Sequence, residues 1–104
     1  MAKIQRKRAQ RTFNELSTFT NQQSVIDALE RAGKDRTLLR NAKRDAKAFL
    51  KSEGLSVPAR AEVTISERRI AVGQIRICIT VCRQVGSFVV CATVCTRIIV
   101  VVIG

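Results

Sequence analysis

Apolar and polar positions follow two rhythms along this chain, and the change comes at Gly54. Before it, apolar residues recur at helical spacing. Val25, Ala28, Leu29 and Ala32 share one face. Ser24 stands where an N-cap belongs, and Asp27 favours the first turn electrostatically. Gly33 offers a left-handed stop. Asp35 can cap a second short turn holding Leu38 and Leu39, and Ala42 to Glu53 reads as a third helix facing inward through Ala42, Ala46, Phe49 and Leu50. The first twenty residues are sparser. Ile4, Phe13, Leu16 and Phe19 stand among Lys3, Arg6, Lys7, Arg8 and Arg11, which predicts a frayed or marginal helix in a basic arm, residues 1–21.

Beyond Gly54 the period shortens to two. Leu55-Ser56-Val57-Pro58 reads as an extended connector, because Pro58 biases Val57 away from the helical region. Ala61 to Ile65 alternates as a short strand, and Ser66-Glu67-Arg68-Arg69 reads as a polar break. The rest is dominated by Val, Ile, Thr and Cys, which suit a pleated surface. Within it Cys78-Ile-Thr-Val-Cys82 recurs as Cys91-Ala-Thr-Val-Cys95. Gly86-Ser87 between the copies is a two-residue hairpin signal of type II′. Counting outward from that turn, Cys82 faces Cys91, Thr80 faces Thr93, Cys78 faces Cys95 and Arg76 faces Arg97. Both cysteine pairs fall at non-hydrogen-bonded sites, where Cα atoms approach to about 4.5 Å, within reach of a disulfide. The expected fold class is therefore α+β: two to three helices and a short strand over residues 22–69, then a β-hairpin or a flexible segment over residues 70–104.

Composition narrows the chemistry. The chain has 104 residues, 19 Lys and Arg against 8 Asp and Glu, and no His, for a formal charge of +11. That length suits one small domain, or a domain plus a tail, and not two full domains. Without His, the commonest general base and zinc ligand are missing. Without Trp or Tyr, and with the four Phe scattered, a base-stacking platform is not indicated. No uncharged apolar run is long enough to span a bilayer, since Ser87–Gly104 is interrupted by Arg97. No apolar stretch follows the basic N-terminus, so no secretory signal is expected and synthesis is read as cytoplasmic.

The four cysteines admit several readings. A single metal site needs four thiolates about 2.3 Å from one ion. In the hairpin the two pairs lie roughly 13 Å apart, so no metal and no cofactor is expected. A structural hairpin with buried or cross-strand paired cysteines is the second reading. In the third, Cys78, Cys82, Cys91 and Cys95 are substrates together with Thr80, Ser87, Thr93 and Thr96. Thiols beside hydroxyl residues are the raw material of thioether rings and azoles.

Residues 22–69 carry a resemblance. Val25-Ile-Asp-Ala-Leu-Glu-Arg-Ala, Leu38-Leu39-Arg-Asn and Ala46-Lys-Ala-Phe-Leu-Lys-Ser-Glu-Gly-Leu-Ser-Val-Pro are followed by Glu62-Val-Thr-Ile. This resembles the nitrile-hydratase-like leader peptide family of ribosomally made, modified peptide precursors. The most specific part is Gly54-Leu-Ser-Val-Pro58 with Glu62-Val63-Thr64-Ile65. The resemblance implies a non-enzyme with a leader over residues 1–69 and a modified core over 70–104. Leader recognition would then rest on Leu39, Phe49, Leu50, Gly54, Val57, Pro58 and Val63. The implied partners are a lanthionine synthetase, cyclodehydratase or radical epimerase, then a leader peptidase and exporter. The product, of bacteriocin type, would be secreted. Hydratase activity is not implied, because Val90-Cys91-Ala-Thr-Val-Cys95 lacks the metal-binding spacing. Ile98 to Ile103 would give the product a membrane-seeking end, or form an ordinary buried strand.

The competing reading is a small basic nucleic-acid-binding or interaction module with a Cys-paired hairpin. Arg36, Arg40, Lys43, Arg44, Lys47 and Lys51 would meet phosphates, or simply form a solvated helix face.

Overall fold

A computed structural model describes residues 2–99, and the side chains from Arg6 onward. The chain is α+β, with four helices followed by three strands: α1 (Ala2–Thr20), α2 (Gln23–Lys34), α3 (Arg36–Arg44), α4 (Ala46–Ser52), β1 (Glu62–Ala71), β2 (Gln74–Val85) and β3 (Phe88–Ile99). The strands form one antiparallel sheet in the order β1-β2-β3. The helices cover one face of it, α1 and α2 over β2 and β3, α3 and α4 over β1.

The hairpin register follows the turn. Val85 pairs with Phe88, and the ladder runs without a slip to Gln74 opposite Ile99. Gly86 has φ 60°, while Ser87 keeps a negative φ, as a type II′ turn requires. Alternation then sorts the side chains. Ile77, Ile79, Val81, Ala92 and Ile98 are buried beneath the helices. Leu16, Phe19, Val25, Leu29, Leu39, Phe49 and Leu50 meet them in the same core, and Val63 packs against its margin.

Several local expectations are corrected by this packing. The first helix is not marginal. It runs 19 residues and is held by Leu16, Phe19 and Thr20 on its inner side. Most of a helix's stability in a folded protein comes from packing its inner face rather than from propensity. Burying large apolar side chains adds about 2 kcal/mol each, which decides the matter. Ser24 lies inside α2, whose N-cap position is Gln22 with no side-chain hydrogen bond. Gly33 is helical rather than a left-handed stop. A Cβ there would collide with Ile98 Cδ1 and approach Ile77 Cδ1 to 2.9 Å, so the residue is where α2 comes down onto the sheet. The break expected before Ala42 falls instead at Asp45, since Ala42 to Arg44 belong to α3 together with Leu38 and Leu39. Asp45 leaves the helical region with φ −145° and ψ 87° and caps α4, its carboxylate accepting from Ala48 N–H. Asp35 caps α3 as anticipated, accepting from Thr37 and Leu38 N–H.

The stop at Gly54 has a Schellman arrangement. Gly54 has φ 78°, its N–H donates to Lys51 and that of Leu55 to Leu50. The expected polar break at Ser66–Arg69 is strand. β1 continues to Ala71, because Ser66 and Arg68 face solvent while Glu67 turns to the helices. The change of composition near Arg69 thus falls inside a strand. Of Ile98–Ile103, Ile98 is buried and Ile99 exposed, while residues 100–103 lie outside the described residues.

Replacing Gly33 by Leu is expected to lower stability by about 1–3 kcal/mol through overpacking against Ile77 and Ile98. Urea denaturation followed by circular dichroism measures it, and an unchanged midpoint would contradict the close approach.

Candidate functional site

The face of the sheet away from the helices carries the cysteines. In register, Glu62-Cys82-Cys91, Thr64-Thr80-Thr93, Ser66-Cys78-Cys95 and Arg68-Arg76-Arg97 form four ranks across β1, β2 and β3. Both cross-strand pairs are disulfides, Cys78–Cys95 with Cα atoms 4.0 Å apart and Cys82–Cys91 with 4.1 Å. The one pair encloses the other. Between them Thr80 Oγ1 and Thr93 Oγ1 share a hydrogen bond of 2.9 Å. Of the remaining hydroxyl candidates, Ser87 is exposed in the turn, and Thr96 is half-buried on the helix side opposite Ile77. The sheet therefore does not bring Thr96 to the cysteines.

The leader-recognition candidates divide by burial. Leu39, Phe49 and Leu50 are core residues, 2%, 4% and 0% exposed, so a partner could not grip their side chains on the folded chain. Gly54 is exposed, and Val57, Pro58 and Val63 are half-buried. Gly54 to Pro58 runs along the surface from α4 towards β1, and Arg60 beyond it takes a positive φ of 60° in the turn closed by Ala61 N–H on Pro58 C=O.

Charges organise the other side. Arg83 points toward the helices, where a bare guanidinium would be costly. It donates Nε–H to Ala59 C=O at 2.9 Å and grips both Glu15 carboxylate oxygens at 2.9 and 3.0 Å. That fork joins α1, the connector and β2. The hydrogen bond from Arg83 holds the Glu15 carboxyl below its ordinary pKa and in turn raises that of Arg83. Glu67, reaching from β1, receives Lys43 at 3.0 Å and Arg36 at 3.4 Å in a cleft also lined by Leu39 and Arg40. Arg31 is paired with Glu53 at 2.9 Å. Two of the six basic helix residues expected to meet phosphates, Arg36 and Lys43, are thus spoken for internally. Arg40, Arg44, Lys47 and Lys51 are exposed and have no acidic partner among the described residues.

Sequence reasoning reached the Arg76–Arg97 pair but not the third arginine of that rank. Reading Ser66–Arg69 as a break hid it, although Thr64, Ser66 and Arg68 alternate with Ile65 and Glu67 at period two. The Glu15–Arg83 fork had no local signal, since the partners are 68 residues apart.

Two measurements test this geometry. Removing the inner bridge by Cys82→Ser with Cys91→Ser is expected to cost up to about 3 kcal/mol, from the loop entropy that the cross-link takes from the unfolded chain. The loss is smaller where Cys78–Cys95 already restrains that loop, and denaturation midpoints report it. The depressed Glu15 pKa favours the folded state above the ordinary carboxylate range, and this contribution disappears as the pH falls through the depressed value. The stability gap between wild type and Glu15→Gln is therefore expected to be full at neutral pH and to close in acid. A gap independent of pH would count against the fork.

No protein-family model, no curated protein sequence and no solved structure matches this chain.

Proposed function

We propose that the protein is a non-catalytic, disulfide-clamped basic module that binds a polyanion, with nucleic acid as the partner. The observation that carries this reading is the distribution of unpaired charge. Glu15, Glu53 and Glu67 are occupied by internal cations, and the carboxylates of Asp35 and Asp45 cap helices. Arg40, Arg44, Lys47 and Lys51 remain exposed on α3 and α4, as do Arg6, Lys7, Arg8 and Arg11 on α1. Those cations have no carboxylate partner among the described residues, and on meeting them a nucleic acid would release its condensed counterions. No aromatic residue lies on the open sheet face, so the contact is with backbone phosphates and not with stacked bases.

A second reading, the modified-peptide precursor, is favoured by a different observation. Cys78, Cys82, Cys91, Cys95, Thr80 and Thr93 all project from the sheet face opposite the one the helices cover. In that reading residues 1–69 are the leader and 70–104 the core. A lanthionine synthetase, cyclodehydratase or radical epimerase acts on the reduced chain in the cytoplasm, and a peptidase and exporter release the product. It stands second because β2 and β3 bury Ile77, Ile79 and Val81 under those helices, so a tethered core would have to be peeled from its own leader before entering an active site.

Binding of labelled DNA measured against salt discriminates the two. The basic module is expected to lose affinity steeply between about 50 and 200 mM salt, linearly on logarithmic axes. Absence of binding at low salt sinks it. Intact mass after co-expression with a lanthionine synthetase or cyclodehydratase tests the precursor, which predicts loss of whole waters from residues 78–95; an unchanged mass with all four thiols unmodified counts against it.

A further inference from the structure

The open sheet face carries an arrangement that folding alone does not favour. Arg68 lies opposite Arg76, and Arg76 opposite Arg97. With neighbouring strands about 4.8 Å apart, the rank crosses the sheet in about 10 Å. Like charges directly opposite each other on adjacent strands are destabilising. All three residues are exposed, and none has a carboxylate partner among the described residues, whereas Arg31, Arg36, Lys43 and Arg83 each have one. The one acidic residue on the same face, Glu62, stands six positions away on β1, roughly 20 Å along the strand. The Cys78–Cys95 bridge is two residues from Arg76 and Arg97 on their own strands, so the two strands cannot splay to separate them. Ser66 adds a hydroxyl beside them.

We infer that Arg68, Arg76 and Arg97 form a subsite for a linear chain of phosphates lying across the strands. Nucleic-acid backbone presents that chemistry, and so does inorganic polyphosphate. Each guanidinium offers a planar fork that matches two phosphate oxygens. A lone phosphate would satisfy one fork and leave its neighbours repelling, while a chain supplies a negative group to each. The repulsion already built into the free sheet is relieved on binding, and the disulfide fixes beforehand the backbone positions from which Arg76 and Arg97 reach out. This subsite rests on the polyanion reading and adds three cations on the sheet to those exposed on α1, α3 and α4.

The test uses the oxidised full chain and fluorescence anisotropy with a labelled oligothymidylate, with inorganic polyphosphate as competitor. Two triple variants remove equal charge: Arg68→Gln, Arg76→Gln, Arg97→Gln on the sheet, and Arg40→Gln, Arg44→Gln, Lys47→Gln on the helices. The sheet variant is expected to lose at least about tenfold in affinity and to flatten the salt slope by about 2, as three contacts to single-stranded phosphates require. The helix variant is expected to lose less. The sheet variant also loses its internal repulsion, so its denaturation midpoint is expected to match or exceed wild type, which separates lost binding from lost folding. Equal losses in both variants would overturn the subsite while leaving the module a nucleic-acid binder. Polyphosphate bound through the rank without oligothymidylate would keep the subsite and overturn the nucleic-acid reading. No binding of either overturns both.

Discussion

The Gly86-Ser87 turn sets the parity of every residue on the long hairpin. A slip of one position would send Ile77, Ile79 and Val81 into water and bring Cys78, Thr80 and Cys82 under the helices. Everything else in the molecule presupposes that parity. The core exists because one set of side chains faces α1 and α2, and the chemistry-bearing face exists because the other set does not. The two disulfides lock the same register in which Val85 meets Phe88, so turn geometry and covalent bonds agree.

Helices and strands answer each other across the core by charge as well as by packing. Each carboxylate that leaves the sheet or α1 toward the other layer finds a cation: Glu67 meets Lys43 and Arg36, and Glu15 meets Arg83. The fork from Arg83 lets an otherwise apolar strand face tolerate a guanidinium, because both planar edges are filled by Glu15 and Ala59. Close packing handles the other crossing point, where Gly33 lets α2 descend onto Ile77 and Ile98. Five of the eight acidic residues are engaged by cations or helix N-termini, which leaves the basic excess on the surface.

Much of this was legible from residue order. Period-two alternation and a Gly-Ser turn are local signals, and they sufficed for the β2–β3 register and for the cysteine pairing. Helical spacing identified the inner faces of α2, α3 and α4. What escaped was set by partners distant in sequence. The basic start of α1 reads as a frayed arm until Leu16 and Phe19 meet the sheet. Ser66–Arg69 reads as a break until β2 supplies a pairing partner, and Gly33 reads as a stop until Ile98 explains it. The Ala42–Glu53 pattern kept its phase across Asp45 although the helix did not, since a capped restart returns Ala46, Phe49 and Leu50 to the same side. Of the candidate site, the cysteine face was readable, and the arginine rank was two-thirds readable, because its third member sits on a strand whose length depends on β2.

The nesting of Cys82–Cys91 inside Cys78–Cys95 has a topological result. A peptidase that opens the exposed Gly86-Ser87 tip frees neither strand, since both bridges still span the cut. A peptidase that acts between Arg69 and Cys78 releases a tail that is already a ladder of two fused rings, not a linear peptide. At the tip, backbone scission and strand release are therefore separate events, and only a reductant couples them.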